Sequence, residues 1–383
     1  MDESLYFTEQ NQQVREMVRG FARSEVARVA ARHDEDSTFP WENIRKMGEL
    51  GLLGVPWPEE LEGAGLDLMS YILTIYEMAR VDASHAITIS AHTTLGTSPI
   101  VHFGTDEQRR RFVPHLASGR VLGGFGLTEP DAGSDPAAMK TRARKTDGGY
   151  VLNGTKMWIT SSPVCHLAVV WAKVDGDDPN SIRGFIVDRG TKGFETPTVH
   201  GKMSLRASPT GEIVLSDAFV PEENVLPGVA GLKGALACLT QARFGIAFGA
   251  LGAARACFDA VLSYSRERIA FGGPIARKQL VQKKIVDMAA EIAKGKIMVM
   301  HYARLKEKGD LLPAQVSLCK KNNVGIALEI ARSARSVLGA NGILLEYPVV
   351  RHMLNLESVF TYEGTDEVHT LILGAALTGE NAF

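Results

Sequence analysis

The sequence predicts an α+β protein of three consecutive domains: an N-terminal all-α domain (1–120), a central antiparallel β domain (121–230) and a C-terminal helical bundle (231–383). Apolar residues follow helical spacing in the first block, short strand-like runs alternate with turns in the second, and long helical segments fill the third. Because helices and strands occupy separate blocks, the sequence lacks the alternation of strand and helix that a Rossmann fold requires.

The first block contains clear helix signals. One helix face is predicted from apolar residues at three-to-four spacing, namely Val14, Met17, Val18 and Phe21. Thr105 followed by Gln108 has the pattern of a capping box, in which each side chain bonds the backbone of the other residue. We therefore expect a helix to start at Thr105 and to end at Gly119.

The second block contains four short apolar or alternating runs that predict strands: Tyr150–Thr160, Leu167–Val174, Gly184–Val187 and Ile213–Val220. Turn-forming residues separate these runs, for example Asp147, Gly148 and Gly149. Short strands joined by tight turns are typical of an antiparallel sheet. The runs do not repeat at a fixed period, so the sequence does not predict a propeller or solenoid.

The third block contains long segments with helical periodicity: Leu236–Arg268, Lys278–Lys306 and Ala314–Leu338. Glycine and proline residues interrupt them at 271–274 and 309–313. Long helices joined by short connections favour an up-down bundle.

Composition narrows the class of protein. The chain is 45% hydrophobic and 22% charged with a net charge of −2, so no basic surface for nucleic acid is predicted. Its four cysteines have neither metal-ligand nor disulfide spacing. The polar start of the chain lacks a secretory signal, and the apolar stretch Phe244–Ala254 is too short to span a bilayer. We expect a cytoplasmic protein without a metal, a nucleic acid or a membrane as partner.

Three segments carry residues suited to chemistry: 125–135 (FGLTEPDAGSD), 156–160 (KMWIT) and 361–365 (TYEGT). The first offers hydroxyls and exposed amides that suit polar ring edges and phosphates, but it is equally compatible with a plain turn. Trp158 could be a core residue, and Glu363 could simply favour a helix dipole. Neither a GxGxxG loop after a strand nor a GxxxxGK[ST] loop occurs, so these two nucleotide-binding modes are excluded.

Five ordered motifs together resemble the acyl-CoA dehydrogenase family over essentially the whole chain: 125–135 (FGLTEPDAGSD), 153–160 (NGTKMWIT), 266–279 (RERIAFGGPIARKQ), 338–343 (LGANGI) and 361–365 (TYEGT). Further segments resemble the glutaryl-CoA dehydrogenases within it: 204–213, 220–228, 351–365 and 369–374. The resemblance implies an N-terminal helical domain, a central antiparallel β-barrel, a C-terminal four-helix bundle, and a homotetramer with one FAD per subunit.

The same resemblance implies roles for individual residues. FAD-binding positions would be Phe125, Leu127, Thr128, Ser134, Trp158, Ile159, Thr160, Arg268, Gln279, Ser336, Val337, Leu338, Gly339, Ala340, Thr365 and Phe383. Of these, Arg268, Gln279 and 336–340 would contact the FAD of a neighbouring subunit, and the Thr160 hydroxyl would lie near flavin N5. Substrate-binding positions would be Ala86, Ile87, Ser134, Leu236, Arg243, Tyr362 and Gly364.

Glu363 is the expected catalytic base. The α-hydrogen of a thioester is a very weak acid, and a carboxylate becomes a stronger base when an apolar, water-poor site raises its pKa. Gly364 would let the backbone approach the thioester closely. The resemblance implies that Glu363 removes the α-proton while FAD takes a hydride from the β-carbon and passes electrons to electron-transfer flavoprotein.

Ala86 stands where glutaryl-CoA dehydrogenases carry an arginine for the distal carboxylate of the substrate. Ala86 and Ile87 instead suggest an apolar pocket for a short, branched or alicyclic neutral acyl group, because an unpaired carboxylate is costly to bury. His85 and His92 are possible substitutes for the missing cation, and each is also compatible with a structural role. The alternatives are a glutaryl-CoA or other dicarboxylyl-CoA dehydrogenase, with or without decarboxylation, and a non-catalytic flavoprotein scaffold.

Overall fold

The computed structural model describes residues 5–176 and 178–382. Its first part is helical, with α1 Glu9–Phe21, α2 Ala27–Asp36, α3 Trp41–Glu49, α4 Leu68–Ala79, α5 Ala83–Ser90, α6 Ser98–Phe103 and α7 Asp106–Ala117. Single π-turns at 22–26 and 91–97 join α1 to α2 and α5 to α6. The all-α character predicted for this part is confirmed.

The predicted helix signals are confirmed in detail at α1 and α7. Val14, Val18 and Phe21 are buried on one face of α1, whereas Met17 is 37% exposed at the edge of that face. The predicted capping box is present, since Gln108 N donates to Thr105 Oγ1 and Thr105 N donates to Gln108 Oε1. Helix α7 ends two residues before the predicted position, as is common at frayed helix ends.

The central part is a seven-stranded sheet with β1 Gly123–Gly126, β2 Arg142–Thr146, β3 Gly149–Thr160, β4 Leu167–Val174, β5 Ile182–Asp188, β6 Phe194–Glu195 and β7 Thr210–Pro221. All four predicted strands are present. The prediction of an antiparallel barrel is wrong, because the sheet is mixed: β4 pairs in parallel with both β1 and β2. Within the described residues the strand order is β1-β4-β2-β3-β7-β6, with β5 paired to β4 as a branch, so the path is open between β1 and β6.

The parallel pairs have a topological cause. The β2–β3 hairpin separates β1 from β4, and a connection of that length allows β4 to return beside β1 in the same direction. Alternating apolar patterns do not distinguish parallel from antiparallel neighbours in short strands, so the sequence favoured the commoner arrangement.

The last part comprises the two-stranded hairpin β8 Ile269–Ala270 and β9 Gly273–Pro274 and the helices α8 Lys233–Glu267, α9 Gln279–Glu307, α10 Pro313–Leu338, α11 Pro348–Thr361 and α12 Asp366–Thr378. The three predicted long helices are confirmed to within a few residues at each end. Helices α8 and α10 pack along each other and hold α11 and α12 against them.

Helix α8 connects the helical parts of the chain. A Cβ on Gly252 would come within 2.2 Å of the Tyr76 carbonyl oxygen, and one on Gly245 within 3.0 Å of Tyr71 Oη. These glycines therefore allow α4 to lie directly against α8. Within the described residues, α8 is the one helix long and apolar enough to cross a membrane by length and composition, but 67% of its apolar window is buried inside the protein.

Candidate active site

Glu363 lies in the short loop between α11 and α12. Its backbone has φ +54°, and Gly364 follows with φ +99°, so two successive residues adopt left-handed conformations. Such a conformation is strained for a residue with a side chain and persists only when surrounding contacts fix it. A Cβ on Gly364 would lie 3.0 Å from His369 Nε2, so only glycine fits without displacing that ring.

Two cations, the half-buried Arg243 and the buried Lys320, hold this loop by its carbonyl groups. Arg243 on α8 donates from Nε to the Glu363 carbonyl at 2.7 Å. Lys320 on α10 donates from Nζ to the Gly364 carbonyl at 2.7 Å and to the Phe360 carbonyl at 3.2 Å. Lys320 is only 1% exposed, so these bonds form away from solvent. The backbone around the glutamate is therefore fixed from two helices.

The Glu363 carboxylate faces the interior. Its Oε2 atom is buried and has no hydrogen-bond partner among the described residues. Burial raises the pKa of Glu363 to about 7, while Arg243 and Lys320 act to lower it. A carboxylate with one buried, unpartnered oxygen and a pKa near neutrality is suited to accept a proton at physiological pH.

Two tyrosines lie beside this carboxylate. Burial, together with the charge of Glu363, raises the pKa of both Tyr71 and Tyr362, so both phenols stay neutral. The Tyr71 hydroxyl lies 3.3 Å from Ser90 Oγ and is directed toward α5 rather than toward solvent. The carboxylate of Glu363 thus lies beside two neutral aromatic side chains, which lower the local polarity.

The second predicted segment ends strand β3. Trp158 has φ +62° at an irregularity in the β3–β7 pairing and is 57% exposed, so it is not a core residue. Ile159 is buried beneath it, and Thr160 is half-buried and pairs with Thr210. This end of the sheet therefore carries an exposed indole and a half-buried threonine two residues apart.

The first predicted segment joins β3 through the backbone and a buried ion pair. Met157 N donates to the Thr128 carbonyl at 2.8 Å. Lys156 Nζ contacts Glu129 Oε1 at 2.8 Å, and both side chains are at most 5% exposed. Burial acts to raise the pKa of Glu129, but Lys156 and hydrogen bonds from Thr141 and Lys140 hold it below its usual range. The segment is therefore a fixed loop rather than a plain surface turn.

The remaining residues of this segment that were predicted to bind flavin differ in exposure. Phe125 is half-buried with its ring centroid 6.0 Å from that of Trp171, and Leu127 is buried. Ser134 is exposed at the tip of the loop. A fixed loop with free hydroxyls next to an exposed indole fits the polar edge and the face of a planar cofactor such as a flavin.

A separate groove of about 330 Å³ contains several of the residues predicted to contact the FAD of a neighbouring subunit. It is lined by Tyr264, Arg268, Ile275, Val337, Leu338, Gly339, Ala340 and Asn341. Asn341 Nδ2 donates to Tyr264 Oη at 3.1 Å and fixes one wall. Ser336 lies outside the lining and receives a bond from Lys284 Nζ, and Gln279 is exposed at the first residue of α9. Thr365 caps α12, and Phe383 lies outside the described residues.

Four predicted substrate positions lie in or near helices α5 and α8. Ala86 and Ile87 are each 3% exposed within hydrophobic clusters. Leu236 is 38% exposed near the start of α8, whereas Arg243 is directed to the Glu363 backbone. Tyr362 and Gly364 flank Glu363, and the exposed Ser134 belongs to the loop after β1. Of the predicted positions, Arg243, Tyr362 and Gly364 therefore lie at Glu363, and Ile87 belongs to a hydrophobic cluster against which Tyr362 packs.

Both histidines considered as substitute cations are committed elsewhere. His85 is fully buried, with Nδ1 2.6 Å from Asp82 Oδ2 and Nε2 3.1 Å from Asn43 Nδ2. His92 Nε2 lies 2.9 Å from the Leu116 carbonyl, and its Nδ1 receives the Gly123 amide at 3.1 Å. Both ring nitrogens of each histidine therefore have partners within the fold.

Several site residues were not identified from the sequence. The burial of Lys320 could have been predicted from the sequence. Lys320 lies four residues from both Val316 and Val324, which are buried on the inner face of α10. A lysine at such a position is unusual unless it is paired. Glu129 and Lys156 lie within the recognised motifs, but their pairing across distant segments is visible only in three dimensions.

Comparison with known proteins agrees with this geometry. Family models of the acyl-CoA dehydrogenase N-terminal, middle and C-terminal domains match residues 8–120, 124–218 and 230–378. An acyl-CoA dehydrogenase of Bacillus subtilis (strain 168) is 38% identical over 377 residues, which cover 98% of this chain and 100% of that protein.

Solved structures are also similar to this chain over nearly its whole length. A crystal structure of glutaryl-CoA dehydrogenase from Mycobacterium smegmatis has a TM-score of 0.95 and 47% identity, covering 98% of this chain and 96% of that chain. A second glutaryl-CoA dehydrogenase from that organism, in complex with FADH2, has a TM-score of 0.97 and 41% identity, covering 100% and 98%. The chain therefore belongs to the acyl-CoA dehydrogenase family, FAD-containing oxidoreductases that act on the CH–CH group of acyl-CoA thioesters.

Proposed function

We propose that this enzyme dehydrogenates a short, branched or alicyclic neutral acyl-CoA to the enoyl-CoA, with Glu363 as the catalytic base. The observation that carries this proposal is the buried, unpartnered Oε2 of Glu363, whose pKa burial raises to about 7. At neutral pH a substantial fraction of this carboxyl group is ionised and free to accept a proton. Substrate binding excludes further water and strengthens its basicity.

In the proposed reaction the proton and the hydride leave the substrate toward different groups. Glu363 breaks the Cα–H bond by taking the proton onto its carboxylate, and the electron pair left on Cα forms the new C=C bond. FAD, when bound, supplies the redox chemistry by accepting the hydride released from Cβ. Arg243 and Lys320 hold the loop of the base, while Trp158 and Thr160 would hold the flavin in line with the Cβ–H bond.

A neutral acyl group is supported by the side chains on α5. Ala86 and Ile87 are apolar and buried, and neither His85 nor His92 has a ring nitrogen available for a carboxylate. The sequence also has no lysine or arginine between Arg80 and Arg109. Burying a substrate carboxylate beside α5 without a cation would be unfavourable. Glutaryl-CoA is the alternative, supported by the name of the solved neighbour that is 47% identical.

We also propose a homotetramer whose subunits share FAD. Arg268 follows α8 about 25 residues after Arg243, a separation of about 37 Å along the helix axis. The groove of Arg268 and Leu338 therefore lies at the opposite end of the bundle from Glu363, where a cofactor of a neighbouring subunit fits better than its own. The adjacent hairpin carries Ile269 and Phe271, which are 60% and 94% exposed and suit a subunit contact.

Electron-transfer flavoprotein is the proposed electron acceptor, and the cytoplasm the proposed compartment. These two proposals rest on the resemblance within the family and on no separate feature of the site. An assay of turnover with and without purified electron-transfer flavoprotein tests the first, and turnover with oxygen alone would contradict it.

The substrate proposal is tested by anaerobic bleaching of the FAD-loaded enzyme with a panel of acyl-CoAs. Butyryl-, isobutyryl- and cyclohexanecarboxyl-CoA should reduce the flavin faster than glutaryl-CoA. Release of CO₂ is measured in parallel, because it separates simple dehydrogenation from oxidative decarboxylation. Faster reduction by glutaryl-CoA would exclude the neutral-substrate proposal while leaving the family assignment intact.

A further inference from the structure

Lys320 makes contacts that the proposed chemistry of Glu363 does not itself require. Its Nζ atom lies between the last turn of α11 and the loop that follows, and donates to the carbonyls of Phe360 and Gly364 at 3.2 and 2.7 Å. The two acceptors flank Glu363 on either side along the chain. Lys320 therefore connects the helix before the base to the residue after it.

The position suits a cation for a physical reason. The last carbonyls of a helix lack intrahelical partners and carry the negative end of the helix dipole. Helix α11 ends at Thr361, so the Phe360 carbonyl belongs to this unsatisfied set. A buried ammonium group satisfies it and reaches the Gly364 carbonyl with a second N–H. One side chain thereby stabilises both the helix end and the left-handed turn at 363–364.

We propose that Lys320 is a positioning residue for the dehydrogenation, one that fixes the strained backbone of Glu363 by binding the carbonyls of Phe360 and Gly364. This inference rests on the proposed role of Glu363 as base. Without the ammonium group, two carbonyls would lose their donor, and the turn would relax toward conformations in which the carboxylate is displaced.

Charge at this site comes from several elements. The groups facing Glu363 are Tyr71 on α4, Arg243 on α8, Lys320 on α10, the adjacent Tyr362, and His369 on α12. The two phenols are neutral, and burial, aided by the neighbouring cations, lowers the pKa of His369 to about 3. Arg243 and Lys320 are therefore the positive charges that oppose the effect of burial on the glutamate.

The decisive variant is Lys320→Met, which keeps an unbranched chain of similar length and removes the charge and the donors. In the FAD-loaded enzyme we expect flavin reduction to slow by about 10- to 100-fold, as for a misplaced reacting group. The acid limb of the pH–rate profile should move to higher pH, because the lost positive charge no longer favours the carboxylate. FAD content should stay unchanged.

Lys321→Met is the matched control. The neighbouring Lys321 is a third exposed and pairs with Asp366 rather than with the loop of the base. It should leave the acid limb where it is in the unmodified enzyme. Lys320→Arg keeps a charge and donors, so it should return the acid limb to its original position and recover part of the rate.

Parallel measurement of Glu363→Gln separates the two proposals. If that variant is still reduced by substrate, Glu363 is not the base and the proposed function fails. If it is inactive but Lys320→Met shows an unchanged acid limb, the positioning role of Lys320 is wrong. A uniform loss of rate in Lys320→Met without any shift of the limb would likewise reject the inference, since damage to folding alone produces that result.

Discussion

Lys156 Nζ lies 2.8 Å from Glu129 Oε1 inside the central sheet, where neither side chain reaches solvent to any useful extent. The pair joins the loop after β1 to the strand that carries Trp158 and Thr160. Glu129 also accepts the backbone amides of Lys140 and Thr141. The two segments proposed to contact the flavin are therefore fixed to each other before any cofactor binds.

Lys156→Met should destabilise the protein by about 3–5 kcal/mol, because it leaves the carboxylate of Glu129 buried without a counter-ion. FAD retention should also fall, since the loop and the strand end lose their connection. Chemical denaturation and the absorbance ratio of flavin to protein measure the two effects.

Lys140→Met provides the control for Lys156→Met, because Lys140 and Asp131 form a pair in which each side chain is 74% exposed. Such pairs contribute at most about 1 kcal/mol. Equal effects of both variants would contradict the structural role of the buried pair.

Glu363→Gln should preserve folding and FAD content and nearly abolish flavin reduction by an acyl-CoA. The amide has almost the shape of the carboxylate but cannot accept the α-proton. Anaerobic rapid mixing measures the rate. Glu367→Gln is the control, because Glu367 is exposed in the first turn of α12 and belongs to the same segment. Reduction of the Glu363 variant at a rate close to that of the control would mean that another group is the base.

The pH dependence of activity and of stability should both centre on Glu363. The value of kcat/KM should rise with pH through about 7, where the free enzyme loses the proton of this carboxyl group. The folded-state pKa lies above the ordinary value of 4.5, so the folded protein binds this proton more tightly than the unfolded chain. The contribution of Glu363 to stability is therefore greatest at low pH and declines as pH rises from 4.5 to about 7.

Glu363→Gln should remove that decline. Relative to the unmodified enzyme, the variant should gain up to about 3 kcal/mol at alkaline pH and little near pH 4.5. Unfolding of the substrate-free, FAD-loaded proteins at both pH values gives the comparison. A constant difference across pH would indicate that burial does not perturb the carboxyl group.

The sequence was sufficient for the features that local pattern determines. The capping box at Thr105 and the long helices α8, α9 and α10 depend on contacts within a few residues, and each was predicted closely. The parallel pairing of β4 with β1 depends on how distant segments return to one another, which alternation in short strands does not encode. The domain boundaries near 120 and 230 remain predictions, because α4 and α8 on either side share one core.

In the candidate site, too, residues in local motifs were predicted from the sequence, whereas contacts between distant segments were not. Glu363 and Trp158 were proposed from the sequence because their motifs are local and resemble a known family. Lys320 was missed because its partners, the carbonyls of Phe360 and Gly364, are backbone atoms with no residue signature. Arg243 was expected to bind the substrate, and its bond to the Glu363 carbonyl could not be inferred from its place in a helical segment.

Arg268→Ala should lower FAD retention and weaken assembly, because Arg268 lines the groove proposed to bind the cofactor of a neighbouring subunit. Flavin content and mass by light scattering are measured on the same sample. Arg266→Ala is the control, since Arg266 is also exposed but does not line the groove. A variant of Arg268 with full flavin content and unchanged mass would reject the shared-cofactor proposal.

Ala86→Arg should shift the substrate preference toward glutaryl-CoA. A charge-assisted bond in a desolvated pocket contributes on the order of 2–5 kcal/mol, equivalent to a factor of roughly thirty to several thousand. The gain will be smaller here, because Ala86 is 3% exposed and a long side chain must displace its neighbours on α5. The ratio of kcat/KM for glutaryl-CoA to that for butyryl-CoA is the relevant measurement, since it cancels general loss of activity.

Ala86→Met is the control for that ratio, because methionine adds comparable bulk without a charge. If the preference reflects the missing cation, the arginine variant should raise the ratio and the methionine variant should leave it low. A rise in both variants would attribute the preference to pocket shape. A high ratio in the unmodified enzyme would show that another cation pairs with the distal carboxylate, and the apolar character of Ala86 and Ile87 would then not determine the substrate.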